Sequence, residues 1–435
     1  MNDTAGLLTL LRSSRDNTLA LINSLSAAQL QVPYHPGINP PVWEMGHAAF
    51  FFERFLFQIL DKAPSVNPAL DDIWDSFELP HEDRWNPGLF PNKDDTEAYF
   101  RLILNRVEER IQSKALTPED LYLYKYAIFH LNMHIESLMW CRQTLAYPPP
   151  PSAKPPRIEP SAIPAALGDA QIPSGLYRIG MPAQAADYAG ADFCFDNEKP
   201  GFSKQVDGFE ISKTLVSNAE FLAFVEDGGY QREDLWGLGG RRWLRHQGQQ
   251  HPVYWKKDNS AWLERHFDRW LPLQTDAPVK HVSYWEAQAY CNWAGRRLPT
   301  EAEWEVAALG NAEGQPFNTL PWGKHMDTRR VDMDGAHFAR LPVTALPEGD
   351  SPFGCRQMIG TVWEWTSEQF MPYDGFSVDM YPFMSTLQFG DHKVVRGGSC
   401  ATSSMLIRGT YRQAYLPERN DVFVGFRTCA LHPSF

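Results

Sequence analysis

The sequence predicts an α+β protein of two domains, an N-terminal four-helix bundle followed by a sheet-rich domain with few, brief helices. Three observations point there. The 435 residues, 43% of them hydrophobic, can fill more than one core. Apolar residues recur at helical spacing only in the first third of the chain. A dense run of prolines then separates that third from the rest.

Leu7, Leu8, Leu11, Leu19, Ile22 and Leu25 form the first helical stripe. A second helix is predicted from Pro41 to Leu60 around WEMGHAAFFFERFLF, and a third around Tyr99, Ile103, Val107 and Ile111. The fourth carries its own start signal: Thr117 as N-cap, Pro118 at the first helical position, and Glu119 and Asp120 in the first turn predict a helix to about Leu145. At YPPPPSAKPPRIEPSAIP the missing N–H donors and fixed φ values exclude helix and favour an extended connector. The bundle is therefore assigned to 1–147, a linker to 148–165 and the second domain to 166–435. There GLYRIGM, GFEISKTLV, HKVVRGGS and FVGFRTCAL read as short strands. Three capping boxes, Ser217 with Glu220, Ser283 with Glu286 and Thr300 with Glu303, announce short helices.

A formal charge of -13 argues against a nucleic-acid or anionic-membrane surface, since phosphate affinity rests on Lys and Arg, and favours a small-molecule partner. No stretch approaches the roughly 18 apolar residues of a membrane span. The N-terminal MNDTAGLLTLLRSSRDN lacks a basic leader followed by an apolar run, so the expected location is cytoplasmic. The six cysteines (Cys141, Cys194, Cys291, Cys355, Cys400, Cys429) are scattered without a Cys-x-x-Cys, which fits reduced thiols. Metal ligands must then be histidines or carboxylates.

HLNMHIE puts His130 and His134 one turn apart, so both imidazoles project from one helix face. Glu136 lies about 200° round the helix from the centre of that face and suits a carboxylate that supports a ligand or bridges the bundle better than a ligand itself. His47, among Trp43, Phe50 and Phe51 on a helix that must face the core, is the candidate third ligand. A His pair alone is more often packing than chemistry; the third His makes an open metal centre the better reading. Three neutral imidazoles suit Fe(II), Zn(II), Cu(II) or Ni(II). Of the 15 Trp, 16 Tyr and 26 Phe most will be core, though some can cage a quaternary ammonium at about 0.5–2 kcal/mol.

DNE at 196–198, EDGGY at 226–230, HVSYWEAQAYCNWAGRRLPTEAEWEVAA at 281–308, GTVWEWT at 360–366, VVRGGS at 394–399 and VGFR at 424–427 resemble the formylglycine-generating-enzyme/sulfatase-modifying-factor domain, which implies a C-type-lectin-like fold. Thr402 and Ile407 stand where that family's copper-binding cysteines follow RGGS, with only Cys400 nearby, so formylglycine generation is not expected. HLNMHIE resembles the His-x-x-x-His-x-Glu signature of DinB-like bundles. The fusion of the two resembles the iron-dependent sulfoxide synthases of ergothioneine and ovothiol biosynthesis. That resemblance implies Fe(II) on His47, His130 and His134, with O2 and hercynine, the trimethylammonium betaine of histidine, as substrates. It further implies a tyrosine that controls the oxygen chemistry, aligned with Tyr381 or, second, Tyr373.

The donor end departs from the ergothioneine branch. Where that branch carries Arg-Asn-Trp-Asp, this chain has Arg412, Gln413, Ala414 and Tyr415; Met133 replaces a frequent Gln. LPHEDRWNPGLF offers only Arg84, beside Glu82 and Asp83, to grip donor carboxylates. A dianionic γ-glutamyl peptide thiol would be poorly served there. The less charged selenosugar of the related selenoneine synthases is the better expectation, with Arg84, Met133, Arg412, Gln413 and Tyr415 as candidate substrate contacts. The alternatives are a sulfoxide synthase using cysteine or another thiol, a metal-dependent thiol transferase that consumes no O2, and a lectin-like binding module that needs no metal.

Overall fold

In a computed structural model the described residues are 4–113, 115–158, 167–181, 193–379, 381 and 385–432. The chain divides into two compact units, Met1–Pro151 with Asp187–Phe193, and Ser152–Ala186 with Cys194–Phe435. The first is helical and the second sheet-rich, the expected order of architectures.

The helical unit contains α1 (Thr4–Asn23), α2 (Ala27–Leu30), α3 (Pro41–Phe52), α4 (Asp71–Trp74), α5 (Lys93–Ser113) and α6 (Pro118–Thr144). The long ones, α1, α3, α5 and α6, make the bundle. The apolar positions read from the sequence face inward: Leu7 and Leu11 of α1 and Ile103, Val107 and Ile111 of α5 are buried. α6 starts as its cap predicts, Thr117 Oγ1 accepting from Asp120 N at 3.1 Å while Asp120 answers Thr117 N at 3.0 Å. Beyond Phe52, α3 continues as a π-helical stretch, Glu53–Ile59. Its buried Glu53 is tied down by Tyr99 Oη at 2.5 Å and Val66 N at 2.6 Å. Phe193 belongs to this unit too, stacked on Tyr122 and edge-on to Phe129.

The second unit contains β1 (Asp169–Ile172), β2 (Gly175–Ile179), β3 (Phe202–Val206), β4 (Phe209–Ser212), α7 (Asn218–Glu226), α8 (Leu238–Gln247), β5 (Trp255–Asp258), β6 (Ala261–His266), β7 (Arg269–Pro272), α9 (Tyr284–Ala294), β8 (Arg296–Arg297), α10 (Glu301–Leu309), β9 (Trp363–Gln369), β10 (Lys393–Arg396), β11 (Arg412–Tyr415), β12 (Val424–Gly425) and β13 (Cys429–Ala430). The strands form two four-stranded sheets, β1-β4-β13-β8 and β11-β10-β9-β12, a β2-β3 pair and a β5-β6-β7 meander. Among the described residues all strand pairings are antiparallel except β12 with β9. The meander escaped the sequence reading because WKKD, AWLERH and RWLP mix charged with apolar residues and show no clean apolar alternation. All three foreseen capping boxes are present and start α7, α9 and α10.

The proline-rich stretch is partly anchored. Lys154 N donates to Ala336 O at 3.0 Å, and Arg157 grips both oxygens of Asp276 at 2.8 and 2.9 Å, so 152–158 packs on the second unit. Residues 159–165 of the expected linker lie outside the described residues.

The core of the second unit holds charge as well as aromatic rings. Arg396 reaches Glu301 at 2.7 Å and Glu305 at 2.5 Å, Arg412 reaches Glu301 at 2.7 Å, and Arg427 reaches Glu364 at 2.6 Å. Arg408 pairs with Glu198, and Lys280 and Arg340 share Glu264. Of these, Glu198, Glu301, Glu305, Glu364, Arg396 and Arg427 stand in DNE, TEAEWE, WEWT, VVRGGS and VGFR, whereas Arg408, Arg412, Arg340 and Glu264 lie outside those motifs. Such pairs are stable only when both partners are present, because a lone buried charge is severely penalised. No described helix is long and apolar enough to cross a membrane.

Candidate metal centre

α3 begins with Pro41 at its first position and Glu44 in its first turn, and one turn later presents His47. α6 presents His130 and His134 on one face. The three imidazoles converge, with one ligand atom from each lying within 4.8 Å of the others. The Nε2 atoms of His130 and His134 are 3.3 Å apart. This is the only cluster of three or more potential metal ligands among the described residues.

The donor set fits a cation. His47 Nδ1 lies 2.7 Å from Trp74 O, and a carbonyl only accepts, so this nitrogen carries the proton and Nε2 keeps its lone pair. His134 Nδ1 meets the Glu44 carboxylate, which fixes the same tautomer. Burial, with the charge of His134 adding to it, pushes His47 down to about 3; burial also holds His130 well below the ordinary imidazole range. Buried neutral imidazoles with lone pairs directed at one point are metal ligands in waiting. Burial alone would raise Glu44, but His134, Asn39 and Ser137 together bring its carboxyl down to about 2, so it is ionised. Its Oε1 accepts from Ser137 Oγ at 2.7 Å and from Asn39 Nδ2 at 2.9 Å. Aromatic rings hold the imidazole planes: Trp43 stacks on His47 at 4.8 Å and Phe51 on His130 at 3.8 Å between centroids.

Glu44 is the residue the sequence reading missed: the carboxylate on His134 comes from the neighbouring helix, while Glu136 is buried on α6. A signal existed, since an acid three positions before His47 lies on the same helix face. Gly46 was also overlooked. A Cβ there would sit 2.4 Å from the Trp74 ring, so glycine lets the Trp74 segment approach α3 and deliver its carbonyl to His47.

The remaining candidates are placed as follows. Met133 is half-buried on α6 between the two histidines. Arg84 donates through Nη1 to Asn39 Oδ1 at 2.8 Å and through Nη2 to Ser76 O at 3.1 Å, and its guanidinium lies 4.0 Å over the Trp43 ring. Both of these donors serve acceptors of the protein itself. Arg412 is engaged in the same way. It is 2% exposed and donates to both oxygens of Glu301, to Asn197 O and to Met371 O. Gln413 and Tyr415 share the opposite face of β11; Gln413 Oε1 accepts from Ala414 N at 2.9 Å, and Tyr415 is buried beside Arg419. Tyr381 is half-buried. Tyr373, the second tyrosine, is half-buried, with the Arg412 guanidinium 4.0 Å over its ring. Thr402 accepts from Ser399 N at 2.8 Å in a buried turn, and Cys400 is buried beside it.

Residues 10–139 match the DinB superfamily and residues 161–431 the sulfatase-modifying factor enzyme 1-like domain. Over 425 residues the chain is 31% identical to hercynine oxygenase of Mycolicibacterium smegmatis, covering 95% of this chain and 96% of that one. The chain belongs to the hercynine oxygenase family. Hercynine oxygenase of Mycobacterium tuberculosis is likewise 31% identical, over 96% of each chain. The formylglycine-generating enzyme of Mus musculus is 30% identical but matches only 60% of this chain. Membership of the hercynine oxygenase family therefore spans both units, and the protein is an enzyme.

Proposed function

We propose that the protein uses Fe(II), held by His47, His130 and His134, and O2 to join selenium from a selenosugar to the imidazole C2 of hercynine. The supporting observation is the cluster of three converging imidazoles, two of them with Nδ1 engaged by Trp74 O and Glu44, in a chain with full-length kinship to hercynine oxygenases. The overall change balances: the C2–H and Se–H hydrogens leave as water with one oxygen atom, and the other oxygen remains on selenium as a selenoxide.

Fe(II) supplies one-electron activation of O2, which closed-shell substrates otherwise resist. The protein's part is positioning. Trp74 O and Glu44 keep protons off the ligating nitrogens, and Trp43 and Phe51 fix the ring planes. Tyr381 is assigned the phenolic proton that steers oxygen towards carbon–chalcogen bond formation rather than simple donor oxidation. Gln413, Tyr415 and Met133 are assigned contacts to the substrates. Support for an uncharged donor comes from Arg84 and Arg412, whose donors already serve Asn39, Ser76 and Glu301.

The test is oxygen uptake by Fe(II)-loaded protein with hercynine and selenoglucose, γ-glutamylcysteine or cysteine, products read by mass. Selenosugar-dependent uptake with a hercynyl-selenium product is expected. Uptake with a thiol only would make this a sulfoxide synthase, and turnover without O2 consumption would make it a thiol transferase.

A further inference from the structure

Around the three histidines the helical unit carries a second layer that neither catalysis nor substrate binding explains. Asn39, just before α3, sits between a cation and an anion: its Oδ1 accepts from Arg84 Nη1 at 2.8 Å and its Nδ2 donates to Glu44 Oε1 at 2.9 Å. The two contacts permit one orientation of the carboxamide. Turned over, it would put its carbonyl against the carboxylate and its NH2 against the guanidinium. Glu44 in turn holds His134 Nδ1 and accepts from Ser137 Oγ at 2.7 Å. The same guanidinium covers Trp43 at 4.0 Å, and Trp43 stacks on His47 at 4.8 Å, with its Nε1 donating to Ile73 O at 2.9 Å.

We infer that Arg84 is a positioning residue for the metal centre, acting on His134 through Asn39 and Glu44 and on His47 through Trp43. One side chain thus restrains ligands on both helices. The loop that carries it is fastened from three sides: Ile73 O, Trp74 O and Ser76 O receive Trp43 Nε1, His47 Nδ1 and Arg84 Nη2. Outer contacts of this kind set the orientation and basicity of ligating imidazoles, and removing them lowers metal affinity by roughly 10- to 100-fold. The inference rests on the three-histidine metal reading and is independent of hercynine and selenium.

The experiment is a Co(II) titration of the metal-free full-length protein, read by visible absorption and affinity, with melting of the metal-free forms measured alongside. Arg84→Met keeps an apolar stem over Trp43 but removes the hydrogen bonds, and Asn39→Leu removes the link to Glu44. Each is expected to weaken Co(II) about 10- to 100-fold and to change the absorption band, while the metal-free melting temperature stays near the parent's. Because the methionine stem still covers Trp43, Arg84→Met and Asn39→Leu both act through Glu44, so the double variant should be little worse than Asn39→Leu, and Arg84→Lys, which retains a donor, should recover part of the loss. Parent-like affinity and spectrum in Arg84→Met, or strictly additive losses in the double variant, would overturn the inference. Should Arg84→Met not fold, Asn39→Leu and Arg84→Lys decide it by the same readouts. If the parent itself binds no Co(II), the metal reading fails rather than this refinement of it.

Discussion

At the scale of single residues, the site depends on atoms that touch no substrate. Gly46 has room for a hydrogen but not a methyl, with the Trp74 ring 2.4 Å from where a Cβ would lie. Gly46→Ala should destabilise the protein by about 1–3 kcal/mol, as overpacking does, and weaken metal binding by displacing Trp74 O from His47. A denaturant melt and a Co(II) titration check the two effects, and parent-like values would show that the segment yields without consequence. Glu286 offers a pH test in the second unit. Burial, opposed by Tyr230 and Ser283, pushes its carboxyl from 4.5 up to about 7. A raised folded pKa means that its contribution to stability is complete below the unfolded value and is lost as pH rises through the folded one. Glu286→Gln abolishes that titration, so its stability relative to the parent should increase between about pH 5 and about pH 8, by at most about 3 kcal/mol. A difference that does not vary with pH would rule the raised pKa out.

At the scale of elements, α6 shows how far a local signal reaches. Its capping box and Pro118 set the start of a 27-residue helix, and the 3.6-residue period then places His130 and His134 on one face. Thr117→Ala should cost about 1 kcal/mol of stability and leave metal affinity unchanged, because the cap lies several turns before His130 and fraying ends within the first turn. Thermal melts paired with Co(II) titration distinguish this from a long-range effect on the ligands. The π-helical continuation of α3 had no such local mark: it is held by Tyr99 from α5 and by the backbone at Val66, partners that sequence spacing does not announce.

At the scale of the whole molecule, the two units use charge differently. In the first a buried carboxylate, Glu44, serves a histidine; the second pairs buried carboxylates with arginines as scaffold. Several of the motifs that identify the second domain contribute members of those pairs, among them Glu301, Glu305, Glu364, Arg396 and Arg427. A divalent metal should stabilise the helical unit by linkage, about 2.7 kcal/mol at one hundred times the dissociation constant, and chelation should reverse it. In His130→Ala calorimetry should show no metal-dependent shift; a shift that persists would place the ion elsewhere.

The sequence by itself determined the two-part architecture, the four long helices, the capped starts of α6, α7, α9 and α10, and the three histidines as a candidate set. Those follow from periodicity and from residues within a turn of one another, the range over which backbone geometry dictates neighbours. Only the tertiary structure decided that Glu44 supports His134, that Arg84 serves Asn39 and Trp43, and that Arg412 belongs to Glu301. Each of these depends on which distant groups are brought within hydrogen-bond reach, 45 residues apart for Arg84 and Asn39 and 111 for Arg412 and Glu301. A charged side chain's role is set by the partner that packing delivers to it, and packing is a property of the assembled fold.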